Sequence, residues 1–404
     1  MSGNLDPPAE ASAAEVRAIK AVIEELAVIP RLPTSTGERQ AARLIQAHLN
    51  RLGCVAALQP VPAYHSYAWP IGLLSAIAAA GGIAGLRGHR SIGAAAGALA
   101  ALGIADDITG RINAFRKMSM RPRVAWNVVA EAGDRAADRT LCVLAHHDAA
   151  PSGAVFDQSV QEWLARRHPA VIDRLHTNPP LWWLVLAGPA LVALGSAAQR
   201  RAILGAGLGI TLGTLMSMVD IGHRPAVPGA NDNLSGVAAL LAVARRMRDR
   251  PAPGLRILLV SAGAEEALQE GIRGFARHYF PRLPPRKTWF LNLDTIGSGR
   301  LVLLEGEGPV RMHDYDAGFK DLVQACASAR GIDVTRGLRS RNSTDGIVPS
   351  KNGYPTATLV SVDHRKLMPH YHLDTDVPEH LDYPGIVDAV RLVEAVAREL
   401  AIRP

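Results

Sequence analysis

Six short, almost wholly apolar runs, each set between stretches of helical periodicity, constrain this chain more than any other feature. They are residues 124–130 (VAWNVVA), 141–145 (LCVLA), 255–262 (LRILLVSA), 288–293 (TWFLNL), 300–304 (RLVLL) and 356–362 (TATLVSV). A strand that is apolar on both faces must be covered on both, which requires helices on either side of its sheet. Helical stretches at 11–28, after Ser35, and near 234–248, 267–280, 315–330 and 385–402 supply those layers. Ser35 and Glu38 match a capping box at the start of the second stretch, and Gly53 is placed to end it. The expected fold is an α/β domain with three layers, α/β/α, and a mixed, mainly parallel central sheet.

Two segments break the alternation. Residues 69–105 form an Ala/Gly/Leu/Ile stretch interrupted by Arg87, His89 and Arg90, and residues 181–219 repeat the design around a Gln199-Arg200-Arg201 turn. Each reads as a hairpin of two apolar helices of roughly 15–18 residues, slightly short of the ~20 that cross a bilayer. Their Ala and Gly suit close helix contact in lipid, and Trp69, Trp182 and Trp183 stand at segment ends, where interfacial aromatics belong. Two readings stand: membrane insertion, or helices buried in an enlarged core or a dimer contact. Four such segments in two matched hairpins exceed what a core needs, which favours the membrane. Arg111, Arg116, Lys117, Arg121 and Arg123 follow the first hairpin, against Arg87 and Arg90 at its tip, so the positive-inside rule puts the remainder on the cytoplasmic side.

The net charge of +7 comes from 38 Arg and six Lys scattered along the 404 residues, and only 5% of the chain is aromatic. A nucleic-acid interface would concentrate its cations and interleave them with rings, so none is expected. Cys54, Cys142 and Cys326 are far apart and odd in number, which supports neither a disulfide framework nor a thiolate metal site. Residues 1–16 show no basic stretch followed by an apolar one, so no leader peptide is expected.

Five clusters of carboxylates and imidazoles lie where an α/β sheet places functional groups, most of them just past strand ends. His146, His147 and Asp148 follow the run at 141–145, and Asp232 sits in the turn GANDNLSG. Glu265 and Glu266 follow 255–262, Asp294 ends 288–293, and His372 lies in HYHLDTDVPEHLD. Each has an ordinary reading by itself: a surface His–Asp pair, a helix N-cap at Asp232, or macrodipole complements at Glu265 and Glu266. Together they offer two imidazoles and four carboxylates, a hard mixed set suited to paired zinc ions.

These motifs resemble those of the M28 metallopeptidases: an HxD, a GAnDnaSG, an EE after a strand, a strand-ending Asp and a late His. The last matches the family's H-x-x-x-D-T-P-E-x-x-D form through His372, Asp376, Val377, Pro378, Glu379 and Asp382, which favours His372 over its rival His370. Weaker echoes are RLPTSTGERQAARLI and STDGIVPSKNGYPTATL. The resemblance implies two Zn²⁺ ions, one held by His146, Asp232 and Asp294 and the other by Asp232, Glu266 and His372, with Asp232 bridging. It makes Glu265 the general base and lets Asp148 orient His146. The implied reaction is hydrolysis of peptide or amide bonds at a free N-terminus, a water between the metals attacking the carbonyl.

The resemblance divides the chain into an N-terminal peptidase part (1–68), an apolar hairpin (69–105), a core with the first ligand (106–150), an insertion (151–225) holding the second hairpin, and the remaining core (226–404). The expected protein is a multi-pass membrane peptidase facing the cytoplasm; the alternative is a soluble cytoplasmic one. Competing functions are a non-catalytic membrane scaffold on a peptidase-like domain and a single-zinc acyltransferase resembling glutaminyl cyclase. No ligand is missing, as a scaffold would allow, and His146 is the residue such cyclases lack. Asn233-Leu234-Ser235-Gly236 after Asp232 differs from the D-M-K-G of the related M20 peptidases.

Overall fold

The structure is a computed structural model and describes residues 13–403. Residues 1–12, which hold most of the N-terminal stretch read for a leader and the start of the first expected helix, lie outside the described residues. The chain begins with α1 (Ala13–Ala27) and α2 (Thr36–Arg51). Ser35 caps α2, its Oγ accepting the Glu38 N–H at 3.1 Å, and Gly53 follows its end at φ 82°. The other half of the capping box is rebuilt. The Glu38 carboxylate accepts from the Thr34 and Trp126 N–H groups rather than from Ser35, and burial pushes it up to about 8.

All six expected runs are strands. The strands are β1 (Val55–Ala63), β2 (Arg123–Gly133), β3 (Thr140–His146), β4 (Arg256–Ala262), β5 (Thr288–Leu293), β6 (Arg300–Leu303), β7 (Gly306–Glu307), β8 (His313–Asp314), β9 (Val334–Thr335), β10 (Arg339–Ser340) and β11 (Thr356–Val362). Eight form one mixed sheet in the order β1-β2-β4-β3-β5-β11-β6-β9, and β10-β7-β8 make a small second one. The central four, β4, β3, β5 and β11, are parallel. Every residue of β3 is buried: Leu141 and Val143 join one core and Cys142 and Leu144 the other, as a sheet covered on both faces requires. β1 lies outside the six expected runs; its Pro60 and Pro62 are tolerated at this edge, where β1 pairs only with β2.

The remaining helices are α3 (Ala68–Leu86), α4 (Arg90–Thr109), α5 (Ala114–Ser119), α6 (Ser159–Arg167), α7 (Pro169–Asp173), α8 (Leu181–Ala197), α9 (Arg201–His223), α10 (Gly236–Asp249), α11 (Glu270–Tyr279), α12 (Ala317–Ala329), α13 (Ile347–Lys351) and α14 (Tyr383–Ile402). Helices α1, α2, α10, α12 and α14 cover one face of the large sheet, and α11 and α13 cover the other.

The two apolar hairpins are α3–α4 and α8–α9, and they join as a four-helix bundle, α4 against α8 and α3 against α9. Small residues set the contacts: a Cβ added at Gly97 would lie 2.6 Å from the Pro189 carbonyl oxygen, and one at Gly207 would lie 2.6 Å from the Val192 nitrogen. The helices have 19, 20, 17 and 23 residues; α8 has the expected length, whereas α4 runs on through Asp106 and Asp107 and α9 through Asp220 and His223. Three of them, α3, α4 and α9, are long and apolar enough to cross a membrane by length and composition. Leu99, Leu102, Leu194 and Met216 are exposed on the bundle's outer surface.

Each hairpin leaves and rejoins the α/β domain at paired positions. Ala63 at the end of β1 lies opposite Arg123 at the start of β2, and Pro151 is bridged to Ala226. The starts of α3 and α8 and the ends of α4 and α9 therefore all face the domain. Two residues expected at a membrane boundary are instead interior. Arg116 is wholly buried, and Trp182 is half-buried against Tyr67 with ring centroids 5.8 Å apart, whereas Trp69 and Trp183 are exposed.

Candidate active site

Parallel strands bring their C-terminal ends to one edge of the sheet, and the candidate residues gather there. His146 is the last residue of β3 and pairs with Ala262, the last of β4; Glu265 and Glu266 come three and four residues further on. Asp294 directly follows β5, which lies on the other side of β3. Asp232 comes from the irregular turn before α10, which contains a cis peptide bond between Asp232 and Asn233. The N-cap reading of Asp232 fails, since Asn233 Oδ1 is what accepts the Gly236 N–H, at 3.2 Å. The helix-start reading of the glutamates fails too. They sit in a loop with left-handed residues at Ala264, Leu268 and Gln269, and α11 begins only at Glu270.

The two oxygens of Asp232 face the two histidines. Oδ1 is 3.2 Å from His146 Nε2, and Oδ2 is 3.4 Å from His372 Nε2. His372 Nε2 is also 3.2 Å from Glu266 Oε2, and His146 Nε2 is 4.0 Å from both Asp294 Oδ2 and Glu265 Oε2. His146, Asp232 and Glu266 offer donor atoms that all lie within 4.8 Å of one another. Two donors bound tetrahedrally at zinc distances of about 2.0–2.1 Å stand about 3.3 Å apart, so these spacings suit a shared cation. His370, the rival, is turned elsewhere: its Nδ1 meets Thr375 Oγ1 at 2.8 Å and its ring stacks on His380.

The donors are left without the hydrogen bonds that buried groups normally make. Both nitrogens of His372 and Glu266 Oε1 have none, although each residue is at most 8% exposed. Burial pushes Asp294 up to about 7 and raises Glu266 and Glu265, Glu265 well above the ordinary carboxylate range. Burial opposes charge on the imidazoles, yet Asp148 and Asp232 raise His146 well above its usual value, and Glu266 and Asp232 bring His372 to about 10. Buried, crowded carboxylates with unused lone pairs are neutralised either by protons or by a cation, and these offer donor atoms for a cation. The residue set fits one.

Surrounding groups hold this array in place. Asp148 accepts the N–H groups of Glu265 and Glu266 at 3.0 and 2.9 Å, tying the β3 exit to the β4 loop. Its Oδ1 is also 3.6 Å from His146 Nδ1, which lies 3.3 Å from the Asp148 carbonyl oxygen. Asp376 does the same for the Asp232 turn, accepting from Asn231 and Asp232 at 2.7 and 3.0 Å. His147 points away, its Nδ1 2.9 Å from Ser261 Oγ.

Three residues escaped the motif reading. Arg31, wholly buried, donates to the carbonyls of His147, Pro228 and Gly229 and so joins the HxD segment to the Asp232 turn. Gln269 donates to Glu265 Oε1 at 3.0 Å and to the Ser343 carbonyl at 3.1 Å. Asp345 is buried with neither carboxylate oxygen hydrogen-bonded, and burial pushes it up to about 8. Arg31 and Asp345 lie in the two weaker echoes noted above; nothing in the sequence marks Gln269.

A cavity of about 830 Å³, part of it open to solvent, lies over Glu265, Glu266, Gln269 and His372. Its other walls are Tyr67, Ile108, Trp182, Val185, Met218 and Ile221, contributed by the domain-facing ends of the bundle helices.

A sheet whose parallel strands exit on histidine and carboxylate donors around a cavity has the architecture of the α/β metallopeptidases. Residues 215–397 match the family model of peptidase family M28. The fold is similar to that of a Zn-dependent exopeptidase from Parabacteroides distasonis, at 14% identity over 96% of this chain and 98% of that one (TM-score 0.55). It is also similar to a zinc aminopeptidase from Bacillus subtilis, at 13% over 95% and 94% (TM-score 0.54). A glutaminyl cyclase from Bacteroides thetaiotaomicron, bound to N-acetylhistamine, shares 15% over 95% and 97% (TM-score 0.58). At these identities the likeness is one of fold. No curated protein sequence matches the chain.

Proposed function

We propose that this chain is a zinc-dependent aminopeptidase, hydrolysing peptide or amide bonds next to a free N-terminus. The reading is carried by Asp232, whose two oxygens face His146 and His372 separately, as a carboxylate shared by two metals would. His146, Asp232 and Asp294 would hold one zinc, and Asp232, Glu266 and His372 the other. Zinc supplies Lewis-acid polarisation of the scissile carbonyl and acidifies a water.

Glu265 serves as the base. Its carboxylate is held by Gln269 and its backbone by Asp148, so it is aimed before substrate arrives. It takes a proton from water as the water oxygen bonds to the carbonyl carbon, and returns it to the nitrogen as the C–N bond breaks. Burial, reinforced by Glu266 and Asp294, raises its proton affinity, which suits a group that must hold a proton between two steps.

The bundle serves as the membrane anchor, crossing with an even number of helices so that the domain stays on one side. With Arg116 withdrawn into the interior, Arg111, Lys117, Arg121 and Arg123 remain beside the domain, against Arg87, Arg90, Arg200 and Arg201 at the tips. These sets are equal in number, so the positive-inside rule no longer assigns the domain a side.

The test is elemental analysis of full-length protein after zinc titration, paired with a panel of aminoacyl reporter substrates. Two zinc ions per chain and release of N-terminal residues, abolished by a chelator and restored by zinc, are expected. One zinc per chain would remove the shared-carboxylate scheme and favour cyclase-type chemistry.

A further inference from the structure

Resting on the aminopeptidase reading, we infer that the substrate is a peptide whose apolar N-terminal residues reach the site from the bilayer. The cavity over Glu265, Glu266 and His372 has a polar floor, completed by Gln269, Asn342 and Ser343, and an apolar roof. The roof is the membrane-proximal end of the bundle itself, every one of its four helices contributing or flanking it through Tyr67, Ile108, Leu181, Trp182, Met218 and Ile221. The apolar cluster inside the bundle runs unbroken into this roof through Phe156 and Leu268.

The rim is apolar on the side of Val155, Phe156 and Leu181. A second cavity of about 750 Å³ shares these three residues, Asn342 and Tyr371 with the first. Val155 is 41% and Leu181 44% exposed, so the two cavities meet at a lip open to the outside. That lip continues onto the outer face of α8 through Leu184, 59% exposed. It is flanked in sequence by α6, which exposes Val160 and Trp163 three residues apart and ends in Arg166 and Arg167, the composition of a helix lying in a membrane interface. An aqueous substrate has no need of an apolar lip at lipid level. A peptide already partitioned into the bilayer crosses it without leaving an apolar environment, and only its amine and first peptide bond must reach the polar floor.

The experiment uses full-length, zinc-loaded protein in phosphatidylcholine/phosphatidylglycerol vesicles and two peptides with the same N-terminal residues. One is short and soluble; the other continues as an apolar segment ending in lysines and is held by the vesicles. Release of the first amino acid is followed by mass spectrometry at matched total concentration. The vesicle-held peptide should be cleaved at least about tenfold faster. Leu184→Lys and Trp163→Asp, neither of which lines the cavities, should remove that advantage and leave cleavage of the soluble peptide unchanged. Equal rates in the unaltered protein, or an advantage that survives both substitutions, overturns the inference while sparing the aminopeptidase reading. Cleavage of neither peptide with zinc bound sinks both, and cleavage only of a fatty-acyl amide would replace the peptide by a lipid.

Discussion

The guanidinium of Arg116 meets the carboxylate of Asp107 through two parallel bonds, Nε to Oδ1 at 2.8 Å and Nη2 to Oδ2 at 2.7 Å, with both side chains out of water. Asp107 belongs to bundle helix α4. The third Arg116 nitrogen donates to the Ala267 carbonyl at 2.6 Å, inside the loop that carries Glu265 and Glu266, and lies 3.3 Å from Glu270. One buried cation therefore links the bundle to the loop of Glu265 and Glu266. Arg116→Ala strands two buried carboxylates and should cost about 3–5 kcal/mol. Arg116→Lys should not restore the protein, because an ammonium cannot reproduce the fork. Thermal unfolding in detergent reads the loss; an unchanged midpoint for both variants would contradict the linkage.

The adjacent glutamates should fail differently. Glu266→Gln weakens one zinc site, so bound metal and activity fall together. Glu265→Gln keeps its metal while kcat drops about 10²–10⁴-fold with little change in KM. Elemental analysis alongside steady-state kinetics separates the two. Interchanged behaviour would reverse the assigned roles, and full activity in both would end the peptidase reading.

Gln269 supplies the side-chain donor to Glu265 Oε1 and also ties that loop to Ser343. Gln269→Leu should keep zinc content and KM but lower kcat about 10–100-fold, the worth of a hydrogen bond to a charged group. A variant that lost zinc in parallel would show instead that Gln269 supports the metal cluster.

Glu307 is a buried carboxyl accepting from Thr344 N–H at 3.1 Å and Thr344 Oγ1 at 3.0 Å. Burial raises it from 4.5 to about 8, so the fold favours the protonated form. Its stabilising contribution is complete below about pH 4.5 and is lost as pH rises through about 8. Glu307→Gln has no proton to lose, so its melting temperature relative to the unaltered protein should climb between pH 5 and pH 9. A difference that stays flat would show that Glu307 does not titrate in this range.

The apolar runs made the sheet legible because strands covered on both faces can tolerate little else. Of the candidate ligands, His146, Asp294 and the Glu265–Glu266 pair were legible because they end or closely follow those strands. Asp232 and His372 lie in turns and were legible only through their motifs. What stayed hidden depends on contacts between distant segments. Arg31 looks like any of 38 arginines until His147 and Pro228 close around it. Arg116 read as a juxtamembrane charge because Asp107, nine residues away on an apolar helix, gave no sign of turning inward. The choice between His372 and His370 rested on a motif; in the fold one faces Asp232 and Glu266 while the other bonds to Thr375.

Because Ala63 lies opposite Arg123 and Pro151 is bridged to Ala226, the α/β domain meets each hairpin merely as an oversized turn. Widening a tight turn to some sixty residues costs only about 3 kcal/mol of closure entropy, since that cost grows with the logarithm of length. Membrane helices could thus be spliced into an enzyme of this fold without disturbing strand register or the position of a single candidate ligand. The reverse operation is also available: replacing residues 64–122 and 152–225 by short turns such as Asn-Gly should leave a water-soluble domain that keeps every candidate ligand, provided Glu270, which loses Arg116, is replaced by Gln. Such a domain would lack the roof of its cavity, so the bundle's part in choosing substrates becomes separable from the chemistry.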